Sequence, residues 1–347
     1  STALVFTTVI AESDTASNDL SVSSFGGTIT DAAGGAAGAA SGDLGAVTVD
    51  GDAPDLSSIA ANDATYKIGD TISITVTWDE AVVVSGTPTL TLSNGDTASY
   101  ASGTGNAALV FSTVVAEDDT ASSDLQVSSY SGTITDAAGG AAAAVSGDLG
   151  AVIVDADDPD MTGCAATDAA YGVGELLTIT CTFDEAVTVT GTPTVTLSNG
   201  DVASYASGTT SANIVFTTTI AQGDSTSADL AVSSIQPTAG GATMKDAAGN
   251  AIDTTVTAGD LGTVTVDGAV PVFSSVAATD GAYGVGETLS ITVTWGEAVV
   301  VSGTPTLTLS NNDVASYVSG SGSTALVFTT VIAESDTASN DLSVSSF

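Results

Sequence analysis

The sequence predicts an all-β chain of tandem Greek-key β-sandwich domains arranged end to end. Three observations carry that reading: a repeat of about one domain's length, an alternating apolar pattern within each repeat, and turn chemistry at matching places. The repeat is visible first. Leu4-Val5-Phe6 returns as Leu109-Val110-Phe111, Ile214-Val215-Phe216 and Leu326-Val327-Phe328, at offsets of 105, 105 and 112 residues. Asp43-Leu44-Gly45 returns at Asp148 and Asp260, and Thr-Pro pairs end at Pro88, Pro193 and Pro305. Self-similarity at this period marks tandem units. A unit of this size buries a core of its own, unlike a short solenoid repeat.

The alternation comes next. In Thr71–Trp78, Ile72, Ile74, Val76 and Trp78 alternate with Ser73, Thr75 and Thr77. A period of two makes a strand with one buried face. The later copies read Leu177, Ile179, Cys181, Phe183 and Leu289, Ile291, Val293, Trp295. A second strand, Thr89–Leu92, runs into Asn94-Gly95, which suits a two-residue hairpin turn with positive φ. Asn199-Gly200 and Asn311-Asn312 hold the same place. Further strands are expected near 97–101, 108–115, 124–130 and 150–155. No window has a helical period. Short strands, Gly/Ser/Asn turns and about 100 residues per unit read as an immunoglobulin-like sandwich.

Boundaries fall at the Pro-terminated segments Asp50–Pro54, Asp155–Pro159 and Asp267–Pro271, where proline stops the exiting strand and stiffens the joint. The chain then divides into a C-terminal part of a repeat (1–50), two complete repeats (51–155 and 156–267) and an N-terminal part (268–347). Residues 1–25 recur without change at 323–347, so the larger period is three domains and a long parent protein is expected. The repeat 156–267 gains residues between Ile235 and Asp246 and between Gly249 and Asp260, in loops that absorb them.

Charge sets the function classes. Two basic residues, Lys67 and Lys245, face 41 acidic ones, a net charge of −39, and there is no His. Phosphate binding needs Lys or Arg, so nucleic acid is excluded as a partner. No apolar run is long enough to span a bilayer, and direct membrane insertion is not expected. The mean hydropathy is nevertheless positive, unlike a disordered acidic tail. Self-repulsion on this scale calls for a salty or calcium-rich medium. Neither lysine recurs between copies, so neither marks a repeating isopeptide bond. The absence of His removes His-based catalysis. Carboxylates repeated in every bead form no single cleft, so the chain is not expected to be an enzyme.

The acidic loops are the candidate metal ligands. Asp14, Asp119, Asp224 and Asp336 follow the Leu-Val-Phe strand in each copy, accompanied by Glu12, Glu117, Asp118 and Glu334. The joints carry Asp50 and Asp52, then Asp155, Asp157 and Asp158, but only Asp267 in the last copy. Asp63 is assigned to the same end of its domain. Calcium takes six to eight oxygens, several of them carboxylate, and three segments converging at a joint supply that. The alternative is a solvated acidic coat. The joint at Asp267 should bind worst. Glu80, Glu185 and Glu297 end the alternating strand and are either ligands at the domain interface or exposed strand-end carboxylates, the second being the favoured reading.

Cys164 and Cys181 stand where other copies have Ile59 and Val276, and Val76 and Val293. Adjacent first and second strands would bring them within disulfide reach, Cα atoms ~4.4–6.8 Å apart. Two buried thiols acting as small hydrophobes are the other reading.

On these motifs the chain resembles the bacterial immunoglobulin-like and cadherin-like repeats of giant extracellular adhesins and biofilm surface proteins. The residues that carry the resemblance are Tyr283-Gly284-Val285-Gly286-Glu287, Ile291 to Val299, Gly303-Thr304-Pro305 through Ser310, the Asp336 loop, Asp246-Ala247-Ala248-Gly249-Asn250 and the exit Val266-Asp267 to Pro271. The resemblance implies a place outside the cell or at its surface, a role in extension, adhesion or matrix, and often bound calcium. The chain lacks the Asp-x-Asn-Asp-Asn linker of the stricter calcium-dependent group. Two functions follow: a spacer or filament component whose partners are neighbouring repeats or like chains, or an adhesive module that recognises glycans or another cell surface. Exposed aromatics clustered on one face would mark the second.

Overall fold

A computed structural model describes residues 3–11, 14–255, 259–339 and 341–347. The chain is all-β. The leading segment carries two short paired strands, β1 (Ser21–Val22) and β2 (Gly42–Asp43). The first complete repeat holds β3 (Leu56–Ala60), β4 (Ala64–Lys67), β5 (Thr71–Leu92), β6 (Thr97–Ser102), β7 (Asn106–Val114), β8 (Gln126–Thr135), β9 (Gly147–Asp148) and β10 (Val152–Asp155). The second holds β11 (Met161–Ala166), β12 (Ala169–Gly172), β13 (Leu176–Thr190), β14 (Thr194–Leu197), β15 (Val202–Ser207), β16 (Ser211–Thr219), β17 (Val232–Gln236), β18 (Thr243–Lys245) and β19 (Val264–Asp267). The last segment holds β20 (Phe273–Ala278), β21 (Thr288–Val299), β22 (Thr306–Leu309), β23 (Val314–Ser319), β24 (Ser323–Val331) and β25 (Val344–Ser346).

The second repeat shows the topology most simply. Its antiparallel path runs β11-β13-β16-β15-β14-β17, with β18 on the far half of β13. The hairpin β14–β15 carries the chain from one layer of the sandwich to the other. The short strand β12 pairs in parallel with the exit strand β19, as β4 does with β10. This is the immunoglobulin-like Greek-key arrangement. In the first repeat two expected strands are one: β5 stays extended from Thr71 to Leu92, pairing with β3 and β7 in its first half and with β8 and β6 in its second.

The alternating residues face inward as the pattern requires. Ile72, Ile74, Val76 and Trp78 are all buried, Trp78 to 1% exposure, and pack with Leu90, Phe111, Leu125 and Val152. Leu177, Ile179, Cys181 and Phe183 do the same in the second repeat. The third core is thinner. Trp295 there is only half-buried, edge-on to Phe273 and Phe347.

The Asn-Gly hairpins differ from expectation by one residue. Leu92 N–H donates to Asp96 O and Gly95 N–H to Leu92 O, so Ser93–Gly95 make a three-residue loop. Positive φ falls on Gly95 alone (93°) and, in the last copy, on Asn312 (67°). This is a type I turn closed by one left-handed residue, the next most common hairpin after the two-residue forms. The first insertion of the second repeat forms a 3₁₀ turn at Ala239–Gly241 and splits the counterpart of β8 into β17 and β18. The second lies between Gly249 and Asp260, where positions 256–258 are outside the described residues, as is Glu12.

Cys164 and Cys181 sit opposite each other in the β11–β13 ladder and are bonded, S–S 1.99 Å. Their Cα atoms are 4.0 Å apart, closer than the expected range. The cause is the ladder itself, whose closely spaced antiparallel pairs lie at ~4.5 Å. Ile59 opposite Val76 and Val276 opposite Val293 hold the same register without sulfur.

Candidate metal centre

The site begins with a tight loop, Asp136-Ala137-Ala138-Gly139-Gly140, between β8 and the segment leading to β9. Asp136 N–H donates to Gly140 O, and the amides of Gly139 and Gly140 donate back to Asp136 Oδ1. This self-closing carboxylate fixes the loop. Asp31 closes its loop in a similar way in the leading segment, its Oδ1 accepting from the amides of Ala33 and Gly35. Asp136 is 3% exposed, and its second oxygen, Oδ2, has no hydrogen-bond partner. A buried carboxylate oxygen without a partner is costly.

The loop lies beneath the linker that enters its repeat. Ala143 N–H donates to Pro54 O, and a Cβ on Gly140 would lie 3.3 Å from Asp52 O. The end of the alternating strand meets it there, where Asp79 Oδ1 accepts from Asp55 N–H. As a result Asp50, Glu80 and Asp136 each place a carboxylate oxygen within 4.8 Å of the others. An open groove beside them is lined by Asp50, Asp52, Asp55, Asp79 and Glu80. Burial and then the charges of Asp136, Asp50, Asp79 and Asp52 push the Glu80 carboxyl above its ordinary range. Glu80 is therefore a half-buried member of the cluster, which corrects its reading as a strand-end carboxylate in water. The donors are all hard oxygens, with neither imidazole nor thiolate. That set suits calcium or magnesium and not zinc or copper.

The joint between the two complete repeats is built from the same positions with a different result. Asp246 takes amide bonds from Gly249 and Asn250 on Oδ1. The residue matching Gly140 is Asn250, 3% exposed. Its Nδ2 donates to Asp246 Oδ2 (2.8 Å), Asp157 O (2.9 Å) and Asp155 O (3.2 Å). Its Oδ1 accepts from Ile68 N–H of the preceding repeat (2.9 Å). One side chain thus pins the linker, its own loop and the end of the previous domain. Lys67, beside Asp70 at 3.7 Å, lies against the same loop, 3.4 Å from where a Cβ on Gly249 would be. Burial, then Asp246, Asp155, Asp184 and Asp157, push the Glu185 carboxyl up to about 7. Asp155 is raised by burial and Asp246, and Asp158 by burial and Glu117.

Of the residues expected as ligands, Asp50 is in the cluster and Asp52 lines the groove beside it. Asp155, Asp157 and Asp158 occupy the next joint, with Glu117 facing Asp158. Asp118 is exposed. The four loop aspartates have a local task. Asp14, Asp119, Asp224 and Asp336 each accept on Oδ2 the amide three residues earlier, at 2.6–2.8 Å. The loops do reach the joint, since Gly223 N–H donates to Gly268 O. Asp63 is at the wrong end. Its Oδ1 accepts from Ala151 N–H, before β10, whereas the joint follows β10. Parallel pairing of β4 with β10 sets the residue before β4 beside the start of β10, the end of that strand away from the joint. Asp267 at the third joint accepts from Ala269 N–H. Asp136, Asp246 and Asn250 were not anticipated as site residues. Their signal was the Asp-Ala-Ala-Gly string and its one Asn among glycines.

No protein-family model matches the chain, and no curated protein matches it. Among solved structures, the I9-I11 tandem from titin is similar in arrangement at 8% identity, covering 83% of this chain and 96% of that one, with a TM-score of 0.30.

Proposed function

We propose that the chain is a spacer segment of a secreted or cell-surface repeat protein, whose joints are stiffened by divalent cations, calcium above all. The observation that carries this reading is the joint held by Asn250, where a nearly buried side chain fixes one domain against the next. Immobilised joints suit a strut and not a flexible string. The acidic surface and the cystine of β11–β13 favour an oxidising, ion-rich medium outside the cell. The aromatics of the two complete repeats support a spacer over a glycan-binding module: Trp78, Phe111, Phe183 and Phe216 fill cores and offer no stacking face, and the exposed rings Phe273 and Phe347 flank Trp295 in the last segment alone.

The test is small-angle scattering of the chain with calcium and with chelator. An extended particle that loses stiffness on chelation is expected. A compact, folded-back particle in both conditions contradicts the spacer reading.

A further inference from the structure

The two joints solve one electrostatic problem in two ways. Each brings an Asp of the linker, a Glu at a strand end and the Asp of the Asp-Ala-Ala-Gly loop to one place. At the second joint Asn250 supplies a donor group in the middle of this arrangement, and Asp246 Oδ2 is satisfied. At the first joint the residue is Gly140, no side chain enters, and the matching oxygen, Asp136 Oδ2, is buried without a partner beside Asp50 and Glu80.

We propose that Asp50, Glu80 and Asp136 form a calcium site at the first joint, and that the Asn250 amide takes the ion's place at the second. The inference rests on the spacer reading and sharpens it: the joints of one chain differ in their need for metal. The contacts of Asn250 Nδ2 mark the ion's position. It touches a loop carboxylate and the carbonyls of Asp155 and Asp157. The matching oxygens at the first joint are Asp136 Oδ2 and the carbonyls of Asp50 and Asp52. With the Asp50 and Glu80 carboxylates added, these give five protein oxygens, and water completes the six to eight that calcium takes. Three carboxylates outweigh the ion's two charges, so the neighbouring Asp52 and Asp79 add long-range attraction. The second joint differs on both of its sides. Lys67 stands where the other copies have Gly172 and Gly284, and Asn250 where they have Gly35 and Gly140. One of the two basic residues of the chain is thus placed at the joint that holds the amide.

The test is calorimetric titration of the whole chain with calcium chloride, in sodium chloride concentrated enough to screen diffuse attraction. Four forms are compared: the unaltered chain, Gly140→Asn, Asp136→Asn and Asn250→Gly. The unaltered chain should show a saturable event with a dissociation constant on the order of 10⁻⁴–10⁻³ M. Gly140→Asn and Asp136→Asn should each weaken it at least ~10-fold, the loss expected when a ligand is removed from a site of this kind. Asn250→Gly should add one equivalent. A Cβ at Gly140 would run into Asp136 Oδ2, so circular dichroism checks that variant, and the isosteric Asp136→Asn stands if it misfolds. Equal, unsaturable uptake by all four forms overturns the proposal, as does an Asn250→Gly chain with no added equivalent. Scattering on the same samples separates the two readings. Binding without a change of stiffness sinks the cation-stiffened spacer and leaves the site, whereas an extended chain that binds nothing at Gly140 does the reverse.

Discussion

Breaking the cystine should destabilise one repeat and leave the others untouched, and tryptophan should not see it. Cys164 and Cys181 are 17 residues apart in sequence. Closing a loop of that size removes unfolded-state entropy equivalent to about 3 kcal/mol. Reduction should therefore lower the stability of the 156–267 repeat by about that amount. Replacing the pair with Cys164→Ile and Cys181→Val copies the residues that Ile59 and Val76 present in the same ladder register. The three or so added carbons regain about 2 kcal/mol by burial, at about 0.8 kcal/mol each, so the net loss should fall to about 1 kcal/mol. Denaturant unfolding with and without dithiothreitol gives the readout. The chain has two Trp, Trp78 in the first repeat and Trp295 in the last segment, and none in the cystine-bearing repeat. Circular dichroism should show a transition that moves with reductant, while the fluorescence transitions stay in place. A fluorescence transition that moves as far as the dichroism one would refute the independence of the cores. An unmoved dichroism transition would refute the bond's contribution.

Three further outcomes are expected. Trp78→Ala should cost about 3–5 kcal/mol as a core truncation. Trp78→Phe should cost less than about 1.5 kcal/mol, because Trp78 Nε1 makes no hydrogen bond and Phe183 fills the same place; urea unfolding followed by circular dichroism distinguishes them. In chelator, the part of the 156–267 repeat's stability that depends on Glu185 should be fully present in acid and decline as pH rises from about 4.5 through about 7. Glu185 holds its proton more tightly folded than unfolded, so ionisation above its unfolded value works against the fold. Thermal melts from pH 4 to 8 should show that slope flattened in Glu185→Gln. Asp63→Ala should cost about 1–2 kcal/mol by freeing the Ala151 amide, with calcium titration unchanged, since Asp63 is not among the carboxylates that meet at the first joint.

The cores were legible because a buried strand face writes itself into neighbouring residues. Ile72, Ile74, Val76 and Trp78 announce their orientation by period alone. The cystine was legible for a related reason, since each Cys replaces an inward apolar residue of a known pair. The joint was half legible. Asp50 and Asp52 stand in the linker, so their place at the joint needs no tertiary knowledge. Asp136 reads locally as a turn residue, and nothing near it in sequence tells that Asp50 and Glu80 fold against it. Asp63 was misplaced because the direction of pairing between β4 and β10 is invisible in either strand. The loop aspartates Asp14, Asp119, Asp224 and Asp336 recur because every copy of the loop needs the same internal amide acceptor, which gives recurrence without metal.

That parallel pairing also decides how a bead carries tension. Ala64, Thr65, Tyr66 and Lys67 lie beside Val152, Ile153, Val154 and Asp155, all running the same way. The chain reaches the start of this ladder by way of β3 and leaves the domain at its other end, after Asp155. A pull on both ends drags the two strands past each other along their length, and the rungs are loaded together in shear. They do not open one at a time, as the rungs of a hairpin would if its ends were pulled apart. Each complete repeat therefore resists tension along the chain with a short clasp whose rungs share the load.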